Sequence, residues 1–241
     1  MNDPNTGGVK NMSPIEANLV AFSPDPELTV AASARVCYSR RGVSELMAGL
    51  QVEEAYDLIR KLIRKRHLSP LEHVGFTFSA AVSRVCSHQL VRHRIASYSH
   101  QSQRYVSMDR AEWRLPPGIV ADPGARDKCR ELLEQARRVY TELIAMGIER
   151  EDARYLLPGA ALSPIVFTMN ARQLLHFFSV RCCRRAQWEI RDLAWSMLKK
   201  ARSVAPVLFE SAGPACARGS CSEGDMTCGR PKWWLEEGLS V

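Results

Sequence analysis

The 241-residue chain contains no run approaching the roughly 20 uninterrupted apolar residues that a membrane-spanning helix needs. Its first ten residues, MNDPNTGGVK, lack the apolar stretch of a secretory signal. A soluble cytoplasmic protein with no membrane partner is the expectation. Neither the GxGxxG fingerprint nor the GxxxxGKS/T phosphate loop occurs, so a nucleotide has to be held by side-chain cations rather than by a glycine turn at a helix start. GxSxG and HExxH are missing too, which removes the hydrolases built on them. Internal repeats and low-complexity blocks are absent. Acidic residues are outnumbered, 26 against 33 Lys plus Arg, and the net charge of +7 favours anionic partners, with nucleic acid, nucleotides and folates all open.

What is present suits one sizeable core, with 46% hydrophobic residues. Residues 1–14 are polar, rich in Asn, Gly and Pro, and are read as a loose tail. Apolar residues at helical spacing predict helices over Glu53–His67 and Asp127–Met146, the second stopped by Gly147. A short helix is expected over Glu151–Leu156, and two more after the N-cap Asn170 and from Ala186 to about Ser203. Val74–Val82 reads as a strand with Phe76 and Phe78 on one face, and Val85–Arg94 as a helix giving way to a loop over Ile95–Tyr105. Strands are too few for an all-β fold, so an α+β domain with several long helices is predicted.

The run RHRIASYSHQSQRY, from Arg92 to Tyr105, concentrates cations, hydroxyls and carboxamides. An isolated RHR triplet reads first as a solvated basic face, but with serines and glutamines interleaved the mixture suits a phosphate and the edge of a heterocycle. Arg154 lies three residues after Glu151 on one helical face, so the pair can bond to each other or present one arginine to a ligand. Arg172, His176 and Arg181 share a helix, where His176 beside Phe177 and Phe178 has the setting of a core histidine. Read from residues alone, a nucleic-acid-binding module remains an alternative.

The Arg92–Tyr105 run resembles the signature of the flavin-dependent thymidylate synthases, in which RHR, two residues and Ser lead to a loop ending Ser-x-Arg-Tyr. HLSPLEH (His67–His73), GIEREDARYLLP (Gly147–Pro158), NARQLLHFFSVR (Asn170–Arg181) and AQWEI (Ala186–Ile190) are similar to family segments in the same order, covering about Ala31 to Phe209. The resemblance implies a family-specific α+β fold, long helices on a small, mostly antiparallel sheet, and a homotetramer with active sites shared between subunits. It implies FAD as cofactor and deoxyuridylate (dUMP), methylenetetrahydrofolate and NADPH as substrates. A one-carbon unit passes from the folate to carbon 5 of uracil and is reduced through the flavin, giving thymidylate without a cysteine nucleophile.

Carried onto this sequence, the resemblance assigns FAD to Ser69, Arg92, His93, Arg94, His100, Asn170, Ala171, Arg172 and His176. It assigns dUMP to Gln89, Arg92, His100, Gln101, Ser102, Gln103, Arg104, Arg154 and Arg181, and puts His67 near flavin and folate. Arg181 is the catalytic candidate, stabilising an ionised uracil. Ser99-His100 stands where many members carry Asn-Glu, so an imidazole replaces a carboxylate. Another flavoenzyme of pyrimidine nucleotides is the nearest competing function.

The expected domain spans residues 15–210, followed by a Cys-rich tail over 211–241. Cys216, Cys221 and Cys228, with Cys182 or Cys183 as a fourth ligand, allow a zinc site, while free thiols or a disulfide are the alternatives.

Overall fold

The computed structural model describes residues 15–219 and 221–236. The tail expected over residues 1–14 lies outside them. In chain order, β1 (Asn18–Phe22) leads to α1 (Pro26–Val36), α2 (Val43–Gly49) and α3 (Val52–Arg64). A 3-10 turn at Ser69–His73 precedes β2 (Gly75–Ser83), α4 (Arg84–Leu90) and β3 (Ala96–His100). Then come α5 (Pro117–Val120), α6 (Pro123–Ala145), α7 (Arg150–Ala153), β4 (Leu162–Asn170), α8 (Ala171–Arg181), α9 (Trp188–Val204) and α10 (Trp233–Glu236). The strands are ordered β1-β2-β4-β3, with β1 antiparallel to β2 and Phe22 opposite Phe76. The fold is the expected mixture of long helices and a small antiparallel sheet.

By its internal packing the chain forms two compact units. One takes Ala80–Arg92 and Ser99–Ile165; the other takes Glu16–Ser79, His93–Tyr98 and the residues from Val166 onward. The chain passes from one unit to the other within β2 and β4, just after Arg92, and again between Tyr98 and Ser99 in the middle of the Arg92–Tyr105 run, which no hydrophobic pattern signals.

In the first unit, Met108, Trp113, Leu133, Tyr140 and Ala161 form a buried cluster. The stripe on α6 supplies two of them. Asp122 starts this helix ahead of the expected Asp127, because its carboxylate accepts from the amide of Ala125 at 2.9 Å. Gly147, at φ 87°, ends it: the amides of Gly147 and Ile148 turn back onto the carbonyls of Ile144 and Leu143.

The core of the second unit is aromatic. Phe76 and Phe178 both meet Phe209 edge-on, at 5.3 and 5.9 Å between centroids, and Phe78 stacks on Phe167 at 5.9 Å. The alternation expected for β2 therefore holds, with Phe76, Phe78, Ala80 and Val82 all buried. The buried carboxylate of Glu27 accepts from the amides of Val207 (2.6 Å) and Leu208 (3.0 Å), fastening the segment after α9 to α1.

Two strands depart from expectation. Residues 96–100 were expected in a loop because they lack an apolar face, yet they form β3, whose ladder satisfies the backbone without one. The strand β4 has no counterpart in the sequence-based expectation. Pro164, which cannot donate to a ladder, sits near its start and obscures the alternation of Ile165, Phe167 and Met169, all buried.

Candidate functional site

In the second unit, helix α8 and the segment from His93 are built around one buried imidazole. Asn170 caps α8 as expected, its Oδ1 accepting from the amide of Gln173 at 2.8 Å, which leaves the Asn170 amide nitrogen outside the cap. One turn on, Gln173 faces Nδ1 of His93 at 3.4 Å, and two further turns on, Arg181 donates from Nε to Nε2 of His93 at 3.0 Å. Phe177 meets the same ring edge-on, with centroids 4.8 Å apart. The hydroxyl of Tyr98 donates to the carbonyl of His93 at 2.8 Å, closing the turn between them.

An arginine can only donate, so Nε2 of His93 is an acceptor and the neutral ring carries its proton on Nδ1. The Gln173 carboxamide receives that proton when its oxygen is turned to the ring. Burial, reinforced by the charges of Arg181 and His176, pushes His93 down from 6.5 to about 4. His93 is thus a fixed neutral acceptor, and the plane of the Arg181 guanidinium is set by it.

His176 reverses the sequence-level reading. Its ring is exposed, 6.0 Å from that of His93, while Phe177 and Phe178 beside it are buried. The core histidine is His93. Arg172 is exposed and bonded to Glu72 on the 3-10 turn that begins with Ser69, a partner with no signature in the sequence. Ala171 is buried, its amide donating to the carbonyl of Val74 at 3.0 Å. Arg94 is exposed, without an ion pair or hydrogen bond among the described residues.

His67 leaves α3 through Arg66, a non-glycine residue at φ 58°, with its own amide donating to the carbonyl of Leu62 at 2.9 Å. It lines a cavity of about 680 Å³ with Arg35, Arg41, Lys61, Lys65 and the apolar Leu58 and Leu62. The size and mixed lining are those of a site for an organic anion. Arg35 and Arg41 are paired with Glu54 and Glu45 respectively, leaving Lys61 on α3 and Lys65 at its C-cap as lining cations without an ion pair among the described residues.

In the first unit a second polar cluster forms around α4, the end of β3 and α7. Arg104 bonds through Nε and Nη2 to one carboxylate oxygen of Glu151, each at 2.7 Å. The alternative pairing of Glu151 with Arg154 is not made: Arg154 donates instead to the backbone carbonyl of Glu151 at 3.0 Å. Its charge lies close enough to Arg84 to help lower the latter's pKa, after burial. Gln103 is buried, and its Nε2 has no hydrogen-bond partner among the described residues. Gln101, half-buried, is tied down through its amide to the carbonyl of Pro164 at 3.0 Å. Ser102 uses its hydroxyl to hold the amide of Arg104 at 3.2 Å. Gln89 is half-buried on α4, and Arg92 just beyond it is exposed.

His100 is occupied on both sides. Arg84 lies 3.0 Å from its Nδ1 and the hydroxyl of the fully buried Ser163 lies 2.6 Å from its Nε2. Neither partner was among the residues marked in the sequence, because both gain meaning only through the folding of α4 and β4 against β3.

Of the readings left open for the cysteines, the described residues match thiols outside a zinc site. Among the described residues no group of three or more His, Cys, Asp or Glu side chains could hold a metal ion, and none of the eight cysteines forms a disulfide. Cys182 is buried, and burial holds its thiol well above the ordinary range. Cys183 is raised by burial and then by nearby Cys228, Glu223 and Cys216. What anchors the C-terminal segment is aromatic: Trp233 and Trp234 are buried against Trp195, and Arg191 lies over the Trp233 ring at 5.6 Å.

The model of the family described as thymidylate synthase complementing protein matches residues 18–207, most of the chain and every segment of both clusters. The chain belongs to the flavin-dependent thymidylate synthase family. The synthase of that name from Geobacter sulfurreducens is 48% identical over 88% of this chain and 93% of its own. The one from Clostridium tetani is 45% identical over 90% and 94%. The family fold is also that of a UMP/dUMP methylase, PolB from Streptomyces cacaoi, whose crystal structure bound with 5-Br dUMP matches with a TM-score of 0.72 at 29% identity, covering 83% of this chain and 94% of that one.

Proposed function

We propose that the chain is a flavin-dependent thymidylate synthase, converting dUMP to thymidylate with FAD as cofactor. The names of its relatives support flavin and thymidylate, and that of its structural neighbour supports a uridylate substrate. The observation that carries the nucleotide half is Gln103. A buried carboxamide nitrogen without a partner costs about 1–3 kcal/mol, a cost that a ligand carbonyl or phosphate removes on binding. Gln89, Arg92, Gln101, Ser102, Arg104 and Arg154 complete the nucleotide set on this reading. His100 serves it through the backbone, since both ring nitrogens are engaged.

The residues assigned to FAD fit such a group. The exposed Arg94 and Arg172, the latter held by Glu72 until a ligand competes for it, match its pyrophosphate, the Asn170 amide nitrogen and the Ser69 hydroxyl offer hydrogen bonds, and the exposed His176 ring offers an edge or face to the flavin; Arg92 is a further exposed cation of the set. Ala171 contributes backbone at the start of α8. The cavity beside His67 suits the flavin and folate vicinity, its cations matching an anionic ligand. Bound FAD supplies hydride chemistry that no side chain can.

The remaining work falls to the protein. On this reading Arg181, whose Nε is held by His93, stabilises negative charge on the uracil ring and makes carbon 5 nucleophilic. Because His93 stays neutral, it steadies that guanidinium without competing for the anion. Ser102 is engaged with the Arg104 amide and has a positioning role.

Methylenetetrahydrofolate as one-carbon donor, NADPH as reductant and a homotetramer with shared sites extend this reading on the strength of the family. A reducing cytoplasmic setting belongs to the same reading, in keeping with eight cysteines that form no disulfide. The test is direct: purified protein should show a flavin spectrum and form thymidylate from dUMP only with NADPH and methylenetetrahydrofolate. A colourless protein that binds nucleic acid with steep salt dependence would overturn the proposal. A flavoprotein that consumes NADPH without yielding thymidylate would point to other pyrimidine chemistry.

A further inference from the structure

His100 forms a three-membered chain with Arg84 on α4 and Ser163 on β4. The direction of its hydrogen bonds is fixed by chemistry. Arg84 can only donate, so Nδ1 of His100 accepts; the proton of the neutral ring is then on Nε2 and is donated to the Ser163 hydroxyl, which is completely buried. The chain holds in this one state of the imidazole. A second proton on Nδ1 would put an N–H and a positive charge against the guanidinium at 3.0 Å.

The next residue, Gln101, is held to the carbonyl of Pro164, so the Gln101–Arg104 segment begins at two adjacent anchors on β4. We propose that His100 is a positioning residue, a latch that holds the Gln101–Arg104 segment in its nucleotide-binding arrangement while neutral and releases it when protonated. This rests on the reading of that segment as the dUMP site. The latch makes nucleotide affinity, rather than turnover of the saturated enzyme, sensitive to acid.

The surroundings agree. The charged or titratable groups that act on His100 are Arg84 and His88, both on α4, while β4 contributes the neutral Ser163. Burial first and then these two groups push His100 below the usual histidine range, and Arg154 reinforces the positive surroundings by acting on Arg84.

Two measurements on the FAD-loaded enzyme test this, with wild type compared to His100→Gln, which can accept from Arg84 and donate to Ser163 but does not titrate. Between about pH 8 and about pH 5, the KM for dUMP should rise roughly two- to fivefold more in wild type than in the glutamine variant, with kcat at saturating dUMP changing alike in both. Ionisation of the nucleotide phosphate is common to both and cancels. Independently of any nucleotide, amide hydrogen exchange over residues 100–106 should accelerate on acidification in wild type only, after correction for intrinsic rates. Parallel KM profiles with parallel exchange would overturn the latch. Should wild type fail to bind dUMP at any pH, the reading of the site fails, and the exchange comparison alone still decides whether His100 holds the segment.

Discussion

Arg181 donates from Nε to Nε2 of His93 over 3.0 Å, and this bond joins the last turn of α8 to the arginine-histidine half of the Arg92–Tyr105 run. It makes the guanidinium a fixed group rather than a mobile one, which is what stabilising a developing charge requires. Arg181→Ala should lower kcat for thymidylate formation by about 100-fold or more while FAD stays bound, as read from the flavin absorbance of the purified variant. Near-normal turnover in that variant would remove Arg181 from the chemistry.

His93 also links pH to stability. The folded protein holds it at about 4 against 6.5 in its ordinary state, so between those values the unfolded chain binds a proton that the folded chain refuses. Stability contributed by the neutral ring is fully present above 6.5 and is lost as pH falls toward 4. Thermal melts of wild type should therefore steepen in their decline over that window. In His93→Gln the decline should be shallower, and equal slopes would contradict the argument.

Gln103 predicts effects of opposite sign on stability and binding. Replacing it with Leu removes a buried nitrogen that has no protein partner, so the ligand-free protein should be as stable as wild type or more so. The same change deletes the donor intended for the nucleotide, and dUMP affinity should fall by roughly tenfold or more in calorimetry. A variant that loses stability in the absence of ligand and retains dUMP affinity would show that Gln103 is structural.

Asn170→Ala removes the cap of α8 and with it the acceptor for the Gln173 amide. The expected cost is about 1 kcal/mol, or some 2–4 °C in melting temperature for a chain of this size. Because α8 also carries Gln173 and Arg181, FAD affinity should fall in the same variant, measured by flavin release on dilution. Asn170→Asp, which caps equally well, should recover the stability but not the flavin affinity, since it lacks the amide nitrogen.

Much of this protein was legible in the sequence because its signals are local. The stripe on α6, the cap at Asn170, the stop at Gly147 and the alternation of Phe76 and Phe78 each depend on residues within a few positions of one another, and each is found where expected. The resemblance carried by Arg92–Tyr105, and by the segments around Glu151–Arg154 and Asn170–Arg181, was likewise sufficient to name the family.

Tertiary structure decided everything that rests on partners distant in sequence. Helical spacing offered Arg154 to Glu151, but Arg104, 47 positions away, takes the carboxylate. His176 has apolar neighbours in sequence and is exposed, whereas His93, flanked by two arginines, is the buried ring, because burial follows from which face of an element is covered and not from adjacent residues. Spacing allowed the cysteines a metal, yet among the described residues no group of three or more potential ligands comes together, and tryptophans anchor the tail. The role of His100 depended on Arg84 and Ser163, the latter 63 residues away, since the acceptor or donor character of an imidazole nitrogen is set only by what faces it.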